Sequence, residues 1–121
     1  MKPKYHFFNN TKYALSGICF MLKMEDSFKI ELCVIIPAFI LSFFLPISML
    51  EHIALVAVLF IILIVECINS AIESCVDLIT NEFHQKAKIA KDCGSSAVFF
   101  SICLAIFTWV IILGKLILEI F

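Results

Sequence analysis

The chain has 121 residues, of which 63% are hydrophobic and 16% are charged, and its mean hydropathy is +1.09. Soluble domains average about 45–50% apolar and about 25% charged residues, and a soluble fold of this length could not bury so much apolar surface. The composition excludes a disordered chain, a collagen and a secreted disulfide scaffold, and a net charge of −1 without any arginine excludes a nucleic-acid-binding protein. We therefore expect an integral membrane protein.

The first predicted element covers residues 9–29, where apolar and charged side chains alternate without a long apolar run. Tyr13, Leu15 and Ile18 are interleaved with Lys12 and Lys23. This mixture is typical of an amphipathic helix, in one piece or in two, that lies at the membrane interface rather than crossing the bilayer.

Three uncharged apolar stretches come next, at residues 32–50, 53–65 and 97–114. A bilayer core of about 30 Å needs about 20 helical residues, so the first and third stretches can each span it directly. The second can do so only if its helix continues through Glu66 and Asn69, which carries polar groups into or near the membrane. We predict an all-α membrane protein with spans at about 30–50, 52–80 and 92–118, in a single domain over residues 1–121.

The lysines predict how these spans are oriented. Five lysines precede the first span, and Lys86, Lys88 and Lys91 lie between the second and third spans. The connection at Glu51 and His52 carries none. By the positive-inside rule, the N-terminus and the second loop are therefore expected in the cytoplasm.

A polar face is predicted on the second span. Glu66, Asn69, Glu73 and Asp77 are spaced by three, four and four residues, which places them along one side of a helix over about 16 Å. Carboxylates on one face repel each other unless a cation lies among them, and hard oxygen ligands suit Mg²⁺ together with phosphate groups. The alternative is that these groups only line a bundle interior and hydrogen-bond across subunits.

Basic residues lie at the start of the third span. Lys88, Lys91 and Asp92 come just before Gly94, and beside a carboxylate–magnesium cluster such lysines can hold a polyphosphate. The alternative is an ordinary solvated helix start. The chain has no P-loop and no kinase glycine-rich loop, so any nucleotide chemistry needs an unrelated site.

A stripe of small residues on the third span, Ala97, Ser101 and Ala105, favours close helix packing in lipid. Three spans in one subunit can hardly enclose a polar site. We therefore expect an oligomer with sites between subunits. The six cysteines show no C-x-x-C spacing, and we interpret them as small apolar residues.

Residues 66–77 resemble the signature E-x-x-N-[ST]-A-I-E-x-x-V-D of the prokaryotic diacylglycerol kinase family. The resemblance continues at residues 82–84 and at the A-K-D sequence that begins at Ala90, and it is weaker over residues 25–31. It covers essentially the whole chain. The resemblance implies a bacterial inner-membrane homotrimer that transfers the γ-phosphoryl group of MgATP to a lipid hydroxyl, with diacylglycerol as the expected substrate.

The resemblance also implies roles for individual residues. Glu66 would be the general base, Glu25 and Glu73 would bind Mg²⁺, and Asn69 would help to order the site. The residues implied to contact ATP are His6, Tyr13, Glu25, Glu73, Glu82, Phe83, His84, Lys91 and Asp92. The residues implied to contact the lipid or to order the site are Asn69, Ser95, Trp109, Glu31 and Asp77.

Two positions depart from the family pattern. His6 stands in place of an early arginine, so a cation at pH 7 is no longer assured there. Phe83 replaces the tyrosine of an E-Y-H motif, which keeps the ring and loses the hydroxyl. Both departures concern the ATP pocket rather than the reaction.

Two alternative functions stay open from the sequence. The nearest is an undecaprenol kinase of the same family, although residues 69–73 and 94–98 favour the diacylglycerol branch. The other is a small non-enzymatic channel or assembly protein, whose polar face would line a pore.

Overall fold

The structure is a computed structural model that describes residues 6–121, and in this range all regular secondary structure is α-helical. Its helices are α1 (Phe7–Met24), α2 (Asp26–Ser42), α3 (Met49–Ile79) and α4 (Gln85–Ile120). The all-α prediction is therefore confirmed. The chain divides into two compact units, one up to Val34 and the other Ile35–Phe121, and each is described separately.

Two of the described helices, α3 and α4, are long and apolar enough to cross a membrane. With 31 and 36 residues, they measure about 46 Å and about 54 Å at 1.5 Å per residue. Both exceed the roughly 30 Å hydrocarbon core. Polar residues near their ends can therefore remain helical outside the hydrocarbon, which explains why α4 begins at Gln85 and not near the predicted residue 92.

The predicted first span differs most from the structure. Helix α2 ends at Ser42 after 17 residues, and the backbone turns before α3 begins. Turn bonds from Phe43 N to Ile40 O and from Phe44 N to Leu41 O close the helix. Pro46 comes next and cannot donate a backbone hydrogen bond, so residues 43–48 do not continue the predicted span of 30–50.

A break in the backbone interrupts the predicted interfacial helix before its end. Glu25 has extended backbone angles, with φ −108° and ψ 104°, and separates α1 from α2. Asp26 then occupies the first turn of α2, where a negative charge is favourable near the helix N-terminus. The predicted element at 9–29 therefore corresponds to α1 and only the first residues of α2.

Helix α3 starts at a capping box. The Ser48 hydroxyl accepts a hydrogen bond from Glu51 N at 3.1 Å, and the Glu51 carboxylate accepts one from Ser48 N at 3.2 Å. Both bonds satisfy backbone donors that the first helical turn leaves without partners. The start of α3 is thereby fixed just after the turn.

The core of the second unit lies between α3, α4 and the last turns of α2. Its buried members are Ile35, Val58, Leu59, Ile62 and Ala105. Nearby, the Trp109 indole N–H donates to the Leu55 carbonyl oxygen at 3.2 Å and joins α4 to α3. The α3–α4 hairpin is therefore packed as one piece.

Outside this core, α3 and α4 expose large apolar side chains. Phe60 and Ile64 are exposed on α3, and Phe99, Phe107 and Val110 are exposed on α4. A soluble monomer rarely exposes so much apolar surface. This surface is typical of helices that face lipid or other membrane helices.

Leu55 provides a test of the hairpin core, because its side chain is fully buried at 0% exposure. We expect Leu55→Ala to destabilise the folded protein by about 2–4 kcal/mol, since it leaves a cavity that neighbouring side chains fill only in part. Unfolding by SDS titration in micelles measures this change. Leu50→Ala, at an exposed position on the same helix, is the control and should stay within about 0.5 kcal/mol of the parent.

Candidate active site

The predicted polar face is present on α3, and its burial falls along the helix. Glu66 is buried, with 4% of its surface exposed, and Ser70 one turn later is also buried. Asn69 and Glu73 are half-buried, and Asp77 near the helix end is exposed. The face thus leads from the apolar middle of the helix to the α3–α4 loop.

Asn69 connects this face to α4. Its side-chain Nδ2 donates to Glu73 Oε1 at 3.3 Å, while its Oδ1 is buried without a hydrogen-bond partner. The same Oδ1 lies against the backbone of Gly94 on α4. A buried acceptor without a donor is costly, whereas the Nδ2 donor of the same amide is satisfied by Glu73.

Two ion pairs lie where α3 ends and α4 begins. Lys91 Nζ is 2.7 Å from Asp77 Oδ1 and joins the two helices, and Lys88 Nζ is 2.5 Å from Asp92 Oδ2 within α4. All four side chains are solvent-accessible, so each pair contributes little stability. Their main effect is to concentrate positive and negative charge beside the polar face.

The loop between these helices is held by its own hydrogen bonds. The Thr80 hydroxyl accepts from Glu82 N at 3.1 Å and donates to Glu82 O at 3.3 Å. His84 Nδ1 accepts from Lys86 N at 3.1 Å and caps α4. The Glu82–Phe83–His84 segment is therefore fixed beside the start of α4, with the Phe83 ring exposed.

The loop and the helix ends form a cleft of about 310 Å³. Five of the residues predicted to bind ATP line it together with Asp77 and Lys88, and these five are Glu82, Phe83, His84, Lys91 and Asp92. A neighbouring cleft of similar volume is largely apolar and is lined by Val76, Ile79, Ala87 and Ala90 among others. The first cleft offers two lysines and the Phe83 ring, and the second offers an apolar wall. Together they suit a ligand that carries both phosphate groups and a planar base.

Glu73 is the half-buried carboxylate of this face that could ligate a hard cation. Asn69 turns its Nδ2 donor toward Glu73 Oε1 and its Oδ1 toward Gly94, so it adds no oxygen donor beside that carboxylate. Within residues 6–121 of one chain, no group of three acidic, His or Cys side chains converges into a complete metal site. A single carboxylate is compatible with Mg²⁺, which takes one or two protein carboxylates and completes its shell with phosphate oxygens and water.

The remaining predicted site residues lie elsewhere. In the first unit, His6 precedes α1, Tyr13 is exposed on it, Glu25 lies at the break and Glu31 is half-buried on α2. Ser95 is exposed on α4. Trp109, which the resemblance assigns to the lipid, donates its indole N–H to Leu55 O in the hairpin core.

Two residues at the cleft are absent from the site that the family pattern predicts. Lys88, one of the lysines that the sequence predicts to hold a polyphosphate, lines the cleft and pairs with Asp92. Thr80 holds the loop through its hydroxyl, which only the loop geometry reveals.

Comparison with known proteins gives a consistent result. A family model described as prokaryotic diacylglycerol kinase matches residues 12–113. The chain is 37% identical to a diacylglycerol kinase of Haemophilus influenzae over 86% of this chain and 88% of the relative. It is 34% identical to a diacylglycerol kinase of Escherichia coli strain K12, over 84% and 83%. An undecaprenol kinase of Bacillus subtilis is 32% identical, over 91% and 90%.

Proposed function

The chain belongs to the prokaryotic diacylglycerol kinase family, and from this premise we propose that it transfers the γ-phosphoryl group of MgATP to the hydroxyl of 1,2-diacylglycerol, giving phosphatidic acid. Membership makes it a membrane lipid kinase, and the interpretation as a non-enzymatic channel or assembly protein is set aside. The proposal adds the phosphoryl donor, the lipid acceptor and the residues that act on each.

The observation that carries the proposal is the continuity between the cleft and the polar face of α3. Lys91, which lines the cleft, is paired with Asp77, the last member of that face. From Asp77 the face continues through Glu73 and Asn69 to the buried Glu66. Because about 16 Å separates Asp77 from Glu66, a nucleotide held in the cleft would have to extend its phosphate groups along this face to bring the γ-phosphoryl group to a lipid hydroxyl beside Glu66.

Lys91 and Lys88 have the role of holding the polyphosphate. In the free protein each ammonium group is paired with an aspartate that is accessible to solvent. Phosphate oxygens can replace these carboxylates at little cost, because an exposed ion pair is worth only about 0–1 kcal/mol. The lysines are thereby kept in position before the nucleotide binds.

Glu73 would hold Mg²⁺, and the resemblance gives Glu25 the same role from the first unit. When bound, the ion neutralises charge on the transferred phosphoryl group. Asn69 donates to Glu73 Oε1 and so orients that carboxylate. The protein's contribution is mostly positioning and charge neutralisation, which is what phosphoryl transfer requires.

Glu66 is proposed as the general base. The lipid hydroxyl oxygen forms a bond to the γ-phosphorus, the bond from that phosphorus to the β–γ bridging oxygen breaks and ADP leaves. The hydroxyl proton passes to the Glu66 carboxylate. The burial of Glu66 supports this role, because a carboxylate in an apolar helix segment is costly unless it serves the reaction.

We further propose a homotrimer in the bacterial inner membrane, with a cytoplasmic N-terminus and active sites between subunits. The exposed apolar faces of α3 and α4 support an assembly. The charge distribution supports the orientation, because Lys86, Lys88 and Lys91 cluster at the cleft end of the hairpin and Lys115 pairs with Glu51 at the other end.

The decisive experiment is phosphate transfer from labelled ATP with Mg²⁺, using purified protein in mixed micelles with diacylglycerol and undecaprenol offered separately. We expect preferential formation of phosphatidic acid. Preferential undecaprenyl phosphate would keep the chemistry and assign the chain to the function named for its Bacillus subtilis relative. Transfer to neither lipid by folded protein would contradict the proposal.

Glu66→Gln keeps the shape of the side chain and removes its ability to accept a proton. We expect turnover to fall by a factor of about 10²–10⁴ or more, with folding intact, because general-base catalysis contributes about this much. The measurement is the rate of transfer at saturating ATP and lipid. Glu119→Gln, an exposed carboxamide substitution near the end of α4, is the control and should retain the parent rate. Near-parent activity of Glu66→Gln would refute the assignment.

Glu73→Ala removes the proposed metal-holding carboxylate and the acceptor of the Asn69 amide. We expect the Mg²⁺ concentration for half-maximal activity to rise more than tenfold, because losing even an outer-shell partner typically lowers metal affinity by about 10–100-fold and losing a direct carboxylate ligand should lower it at least as much. The check is a Mg²⁺ titration of the rate at several ATP concentrations. An unchanged Mg²⁺ dependence would count against the metal role.

A further inference from the structure

Gly94 on α4 lies against the end of the Asn69 side chain on α3, which occupies the space of a Cβ. An added Cβ at Gly94 would overlap Asn69 Oδ1 and would lie 3.2 Å from Asn69 Cγ. At Gly17 and Gly114, in contrast, an added Cβ would meet nothing within 4 Å. Among the chain's three glycines, Gly94 alone is confined in this way.

The backbone does not explain the choice of glycine at this position. No glycine in residues 6–121 has a positive φ, and Gly94 lies inside the regular helix α4. A glycine within a helix costs about 0.5–1 kcal/mol relative to alanine. The space taken by the Asn69 amide therefore accounts for the missing side chain.

The Asn69 amide transmits this contact to Glu73. Its Oδ1 and Nδ2 belong to one planar group, so any movement of Oδ1 away from Gly94 also moves Nδ2. Nδ2 is the donor to Glu73 Oε1, at 3.3 Å. The bare backbone at Gly94 thereby determines where the donor to the Glu73 carboxylate lies.

We propose that Gly94 is a positioning residue, which fixes the side-chain conformation of Asn69 and through it orients the Glu73 carboxylate. The metal-binding consequence rests on the proposed function, in which Glu73 holds the cation. Displacing the end of the Asn69 side chain is mechanically easy, because it involves no backbone movement. Substitution at Gly94 is therefore expected to disturb the site and not the fold.

The test compares Gly94→Ala with Gly114→Ala, which lies on the same helix and has open space around it. Both should unfold in SDS at the parent midpoint or above it. Selective ¹⁵N labelling of asparagine then reports the side-chain amide of Asn69, whose signal is identified by its loss in Asn69→Ala. We expect this signal to shift in Gly94→Ala and to stay in place in Gly114→Ala. An unshifted signal in Gly94→Ala overturns the proposal.

Metal binding provides the second readout. We expect the Kd for Mn²⁺, measured by electron paramagnetic resonance with a non-hydrolysable ATP analogue, to rise about tenfold in Gly94→Ala and to stay at the parent value in Gly114→Ala. A parent-like Kd in Gly94→Ala, where Glu73→Ala raises it, overturns the proposal. If Glu73→Ala leaves the Kd unchanged, the metal role of Glu73 fails instead, and the amide signal alone decides on Gly94.

A double variant distinguishes positioning from a change in helix spacing. In Asn69→Ala the amide is absent, and the Cβ of residue 69 is 4.0 Å from the position of an added Cβ at 94, which is an ordinary contact. We expect the double variant, Asn69→Ala combined with Gly94→Ala, to have the same Kd for Mn²⁺ as the single variant Asn69→Ala. If the loss of Mn²⁺ affinity in the double variant equals the sum of the losses in the two single variants, the proposal is overturned. If Gly94→Ala alone does not fold, the double variant still tests the proposal, because removing the Asn69 amide removes the overlap.

Discussion

The packing of α3 against α4 is the interaction on which the rest of the structure depends. It is fixed at one end by Asp77 and Lys91 and at the other by Glu51 and Lys115, with the Trp109–Leu55 hydrogen bond between them. The ion pairs are exposed and weak, whereas the apolar core and the half-buried indole hydrogen bond set the spacing. This spacing brings a cleft of charged residues to one end of a buried polar face.

The burial and the charge of the residues on the polar face change with their depth along α3. Glu66 lies where charge is most costly, Asn69 is neutral and anchored between helices, and Asp77 lies where water and counter-ions are available. An enzyme that joins a water-soluble phosphoryl donor to a lipid acceptor needs such a gradient. The donor requires hydrated charge, and the acceptor requires a reactive group that it can reach without leaving the apolar phase.

Much of this arrangement could be predicted from spacing. The intervals between Glu66, Asn69, Glu73 and Asp77 place them on one helical face, and the family pattern identifies the loop residues that line the cleft. Contacts between distant residues could not be predicted in this way. The approach of Gly94 to Asn69 and the commitment of the Trp109 indole to Leu55 O depend on how two helices pack. The early end of α2 depends on backbone turn bonds at Phe43 and Phe44, and the hydropathy of the sequence does not predict such bonds.

Trp109 is the single tryptophan of the chain, and its indole lies between α3 and α4 with its N–H bonded to a carbonyl of the opposite helix. Indole fluorescence depends on the polarity and hydrogen bonding of its surroundings. The chain therefore carries its own optical reporter at the junction of the hairpin, and no label has to be attached. Emission from this one side chain records separation of the two helices, at a position remote from the cleft.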